Sequence, residues 1–176
     1  ALPTDVQRMD LSQTLGLLAV ADGDPSSVKL LEPASLATVL ALPVPGPVRD
    51  VGFADDGTTL VAVVGDATSA AVCAWQLKGS DDGLRVRRER CAPLPGVPLR
   101  LAVSPDGERL AVATDAGSTP VMDVRRLEIE VSIETPSAIR DLVWYDPSRP
   151  GPPVPEWSDE GPPTLSVGRL PGPSDR

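Results

Sequence analysis

Histidine is absent from the 176 residues, and cysteine occurs only twice, at Cys73 and Cys91. Without an imidazole, a Ser-His-Asp or Cys-His relay is excluded, and acid–base work falls to carboxylates or lysine. Two cysteines with no histidine are too few for a structural zinc site, and no cofactor is implied. Long apolar runs are also missing. The longest, such as "LGLLAVA" and "TTLVAVV", fall well short of the roughly 18 to 20 residues that span a bilayer, and no charged-then-apolar signal opens the chain. A soluble protein is expected. Positive charge is scarce, with 16 Lys and Arg against 25 Asp and Glu and a net charge of −9. That balance opposes attraction to nucleic acid or anionic lipid, so neither nucleic acid binding nor membrane insertion is expected.

What remains is enough to fold. With 41% hydrophobic residues the chain can bury a core. It opens on Ala1 rather than Met, which fits processing or a start inside a longer protein. The one basic stretch is "LRVRRERC", carrying Arg85, Arg87, Arg88 and Arg90. It is a candidate patch for a phosphate or an acidic protein partner, although charge on an outer strand also blocks edge-to-edge pairing. If the strands around "KGSDDG" pair with Leu77 opposite Leu84, Cys73 faces Arg88 and Cys91 faces Ala70. The sulfurs then stand roughly 10 Å out of step. Free thiols in a reducing compartment, the cytoplasm, are therefore expected.

The strongest signal is a repeat. The segments "VQRMDLSQTLGLLAVADG", "VRDVGFADDGTTLVAVVGD", "PLRLAVSPDGERLAVATD" and "IRDLVWYDPS" align with Leu11, Phe53, Val103 and Trp144 in one register, at spacings of 42, 50 and 41 residues. Each unit opens on alternating apolar residues, for example Val48, Val51 and Phe53, followed in two units by an Asp-Gly turn at Asp56-Gly57 or Asp106-Gly107. Such a pair flanked by apolar runs predicts a hairpin. A small apolar run follows ("LLAVA", "LVAVV", "LAVAT") and suits a strand buried on both faces. A third strand places Leu31, Trp75 and Met122 in one equivalent position, with Glu32, Gln76 and Asp123 next. A fourth, more variable strand suits a solvent-facing edge. Each unit is thus predicted to be a four-stranded antiparallel meander.

Meanders at this period predict the blades of an all-β propeller. "VSPDGERLAVATD" followed by "VMDV" resembles the WD-repeat family and its bacterial propeller relatives over about residues 6 to 148. The chain has no Gly-His pair before a blade and no Trp-Asp dipeptide, and only Asp123 matches that Asp position, so the family's His-centred network is not expected. The predicted organisation places blades over 1–148, at about 6–47, 48–97 and 98–137, with a fourth starting at 138–148. A Pro-rich tail over 149–176 holds one candidate strand at 164–170. Three complete blades and part of a fourth fall short of a closed ring. Either the missing blades lie before Ala1 or on another chain, or the stack is a small open or oligomeric version; the exposed apolar faces of an open stack favour a larger propeller, of which this is a fragment or which a protein partner or sister chain completes.

In the tail, "RPGPPVP" places Arg149, Pro152 and Pro155 in the pattern read by proline-binding adaptor domains, and a rigid linker explains the same prolines. The acidic residues have turn roles: Asp55-Asp56 and Asp81-Asp82 precede glycines, and Asp22 with Asp24 is too small a set for calcium. Trp75 and Met122 are read as blade core. The resemblance implies a noncatalytic protein–protein interaction scaffold, part of a larger assembly. The alternative is a propeller enzyme or small-ligand binder with a carboxylate site, Asp66 or Asp115, at the central channel.

Overall fold

Alternating apolar residues and glycine-bearing turns fold each repeat back on itself. The computed structural model describes residues 6, 8–21, 27–54, 56–80, 83–134, 139, 142–145 and 164–167. The first unit forms β1 (Arg8–Ser12), β2 (Leu17–Ala21), β3 (Ser27–Leu31) and β4 (Thr38–Pro43). The second forms β5 (Val48–Phe53), β6 (Thr59–Gly65), β7 (Ala70–Ser80) and β8 (Gly83–Pro93). The third forms β9 (Pro98–Val103), β10 (Arg109–Thr114), β11 (Ser118–Asp123) and β12 (Ile129–Glu134). A further pair consists of β13 (Leu142–Tyr145) and β14 (Thr164–Val167). Each set of four is a sheet in sequence order, and every pairing is antiparallel. These are the expected blades.

The repeat alignment is realised as strand register. Leu31 stands opposite Leu18, Trp75 opposite Leu60 and Met122 opposite Leu110. Leu31, Trp75 and Met122 are all buried, as core positions require. The small residues of β2, β6 and β10 are buried too; β6 and β10 lie between two sheet neighbours and two adjacent blades and so have no solvent face. The fourth strands β8 and β12 are exposed along nearly their whole length.

Blades stack through apolar seams. Leu30 and Leu42 of the first blade pack with Val51, Leu60 and Trp75 of the second. Val61, Val63 and Val72 of the second pack with Leu110, Val112 and Met122 of the third. Ala111, Ala113 and Val121 of the third pack with Leu142 of β13. Side-chain hydrogen bonds lock the same seams: the Phe53 N–H donates to Asp10 Oδ2 at 2.7 Å, and Trp144 Nε1 donates to the Ala102 carbonyl at 2.9 Å. β1 runs beside β5, β5 beside β9 and β9 beside β13, so the first strands line one side of the stack.

The Asp-Gly turn shows why glycine is needed. Gly57 adopts φ +62°, and a Cβ there would lie 2.3 Å from Thr14 Oγ1 of the neighbouring blade. Asp56 Oδ1 accepts the Thr58 and Thr59 N–H groups, as the turn reading requires. Asp106 accepts the Glu108 N–H in the third blade in the same way.

The cysteine expectation is overturned. Cys73 stands directly opposite Cys91, and the two form a disulfide, with S–S 1.99 Å and Cα–Cα 4.1 Å. The strands run on to pair Ser80 with Gly83, two residues past the assumed register. A bulge at Arg87 then adds one more residue, since Gln76 pairs with Arg88 but Leu77 with Val86. Those three residues bring the sulfurs into step. With no free thiol present, the ground for a reducing compartment falls.

Candidate functional site

Of the carboxylates proposed for a central-channel site, Asp66 caps its own turn and Asp115 holds the segment that leads into β9. Asp66 Oδ1 accepts the N–H and hydroxyl of Thr68 and the N–H of Ser69. These bonds hold its carboxyl below the ordinary aspartate range, in the ionised form that turn capping uses. Asp115 Oδ1 accepts the Val97 N–H at 2.8 Å. Among the described residues, no group of three or more His, Cys, Asp or Glu side chains is placed to hold a metal. Asp22, Asp24, Asp55, Asp81 and Asp82 lie outside the described residues, as do Arg149, Pro152 and Pro155.

A different charged feature marks the first strands. Arg8, Asp50 and Arg100 lie opposite Ala21, Val63 and Ala113, which are equivalent positions in three successive blades. The same position in "IRDLVW" is Asp141, so the sequence alternates Arg, Asp, Arg, Asp. Arg8 Nε lies 3.8 Å from Asp50 Oδ1 across the first seam. Asp50 Oδ2 accepts the Leu101 N–H at 3.0 Å across the second. The buried Asp50 carboxylate thus ties the second blade to both of its neighbours.

Burial dominates the titration of Asp50. It raises the carboxyl above the ordinary 3.8, against the opposing pull of the Leu101 and Val51 N–H groups and of the Arg8 and Arg100 charges. A raised value means the folded chain holds this proton more tightly than the unfolded chain, so folding stability falls as pH rises from 3.8 through the folded value and is flat above it. Relative to Asp50→Asn, wild type is therefore expected to lose stability across that window in urea unfolding. A difference that grows in the wild type's favour as pH rises would show a depressed carboxyl instead.

The basic stretch divides by strand parity. Arg88 pairs with Gln76 and Arg90 with Ala74. Ala74 packs in the seam shared with Val124 of the third blade, so Arg88 and Arg90 face that blade. There they line a groove of about 350 Å³ together with Arg125, Gln76, Thr59 and Asp56. Arg90 Nη1 makes a long 3.5 Å contact to the Arg125 carbonyl. Arg87 occupies the bulge and Arg85 pairs with Lys78; neither lines the groove. Arg125 carried no site reading in the sequence, because the turn that brings it there lies 35 residues downstream of Arg90.

The open faces are the second feature that sequence reasoning anticipated only in outline. Asp10 reaches the second blade, so its strand neighbours Met9 and Leu11 point the other way. They are 54% and 51% exposed, whereas Val51, the register equivalent of Met9, is 5% exposed in the first seam. Val20, opposite Met9, and Leu31, on the same side of the sheet, are buried, so the opening lies along β1. At the far end, Val143 is exposed on the side of β13 opposite Leu142, and Val131 and Ile133 of β12 are exposed as well.

No family model matches this chain, and no curated protein matches it. Among solved structures it is similar to the β-propeller domain of Cps50 (Swd1) from Myceliophteria thermophila. The identity is 15%, the TM-score 0.58, and the match covers 79% of this chain and 45% of that one. The chain thus spans less than half the length of that structure. The likeness shows the fold: the four-stranded sheets are β-propeller blades.

Proposed function

We infer that the chain is a noncatalytic protein-binding scaffold, built of propeller blades and acting as part of a larger propeller assembly. The observation that carries this reading is the contrast between Met9 and Val51, one apolar position open at the end of the stack and sealed at a seam. Exposed apolar surface at a sheet face marks an interaction site, and a covering blade buries it as the internal seams do. A protein partner or a sister chain supplies that blade. The carboxylates of the enzymatic alternative already accept backbone N–H groups, which favours the scaffold.

The test is a triple variant, Met9→Lys with Leu11→Lys and Val143→Lys, compared with wild type for binding of an apolar dye and for self-association. Wild type is expected to bind dye or associate while folded, and the variant to do neither at an unchanged unfolding midpoint. A variant that unfolds as a core mutant does would show these faces to be covered within the chain, against the proposal.

A further inference from the structure

Three guanidinium-bearing residues converge on the seam groove in a chain whose net charge is −9. Arg88 and Arg90 arrive from β8, on the one parity that the bulge at Arg87 allows, and Arg125 arrives from the turn between β11 and β12. None of the three makes an ion pair with a described residue, and among the described residues the one polar contact of their side chains is from Arg90 to a carbonyl. Among the described residues, Asp56 is the one carboxylate lining the groove. Its oxygens already accept the Thr58 and Thr59 N–H groups and the Thr59 hydroxyl, and these bonds outweigh burial to keep it ionised. The local sum is three positive charges against one negative charge that is bound elsewhere.

Like charges gathered at one groove repel, and an incoming oxyanion relieves that repulsion while meeting forked donors suited to carboxylate or phosphate geometry. Gln76, exposed beside Arg88, adds an amide that can donate to the same group. The apolar floor contributed by Ala74 and Val124 suits the aliphatic part of a peptide side chain. We propose that the groove between the second and third blades binds an acidic segment of a protein partner, with a side-chain oxyanion held by Arg88, Arg90 and Arg125. This names the chemistry of a partner and rests on the scaffold reading only in that the chain binds protein. The groove lies at an internal seam, so it is complete whether or not the open faces are covered, and the two ideas fail separately.

The probe is a fluorescently labelled hexaglutamate peptide titrated at fixed ionic strength, with hexaglutamine as the neutral comparison and a phosphoserine-containing counterpart as a third arm. Arg88→Glu with Arg125→Glu is set against a charge-matched control, Arg87→Glu with Arg126→Glu, which changes the same net charge outside the groove. The groove variant is expected to weaken hexaglutamate binding by about tenfold or more and the control by about twofold or less. Tighter binding of the phosphoserine peptide, lost in the same variant, would support the groove and assign it phosphate rather than carboxylate. Equal losses in both variants would reveal a diffuse field and overturn the proposal, as would a folded wild type that binds hexaglutamate no better than hexaglutamine. Unfolding midpoints are read alongside, and Arg88→Gln with Arg125→Gln serves if the charge reversal prevents folding.

Discussion

Trp75→Ala is expected to cost about 3–5 kcal/mol of folding stability, enough to unfold much of a marginally stable chain at room temperature. The indole is fully buried and packs with Leu30 and Leu42 of the first blade and Leu60 and Leu77 of its own, so its removal opens a cavity at the seam that joins two sheets. Trp75→Phe is expected to cost far less. Trp75 Nε1 is buried with no hydrogen-bond partner among the described residues, so phenylalanine removes an unsatisfied donor while keeping most of the apolar ring. Urea unfolding of the two variants gives the comparison. Equal losses would mean that the indole N–H makes a bond that matters.

The second large effect belongs to the disulfide. Cys73 is buried in the first seam, Cys91 lies on the exposed outer strand, and the bridge closes a loop with a sequence separation of 18. Cross-linking a loop of that size restricts the unfolded chain and is worth about 3 kcal/mol. Cys73→Ala with Cys91→Ala, or reduction of wild type, is expected to lower stability by about that amount, more than a typical surface substitution does. Alkylation of the native protein without reductant is expected to label neither sulfur. Labelling of both, with stability indifferent to reductant, would return the chain to free thiols.

The repeat was readable in the sequence because its signals are local and periodic. Leu11, Phe53, Val103 and Trp144 keep one register, and the positions of Leu31, Trp75 and Met122 come out opposite equivalent leucines. The partner of Cys73 was not readable. A hairpin register is set by where the turn closes and by any bulge, and neither the pairing of Ser80 with Gly83 nor the extra residue at Arg87 leaves a periodic trace. The same bulge decides which way Arg88 and Arg90 face, since a slip of one residue turns a strand's side chains to the other side. The basic stretch was therefore visible as composition, but its meeting with Arg125 across a seam was not. The alternation of Arg8, Asp50 and Arg100 stands in the sequence, and it acquires meaning only once the first strands are seen side by side.

The open faces at Met9, Leu11 and Val143 carry the central claim that these blades belong to a larger propeller assembly. The most direct test is the solution mass of the purified chain by light scattering, measured together with its thermal unfolding. The expected result is a multiple of the 18.4 kDa chain mass, or association that is relieved by a copurifying partner chain. A monomer of 18.4 kDa that unfolds in one sharp transition, with no tendency to associate, would contradict it and mark the stack as a self-sufficient small propeller.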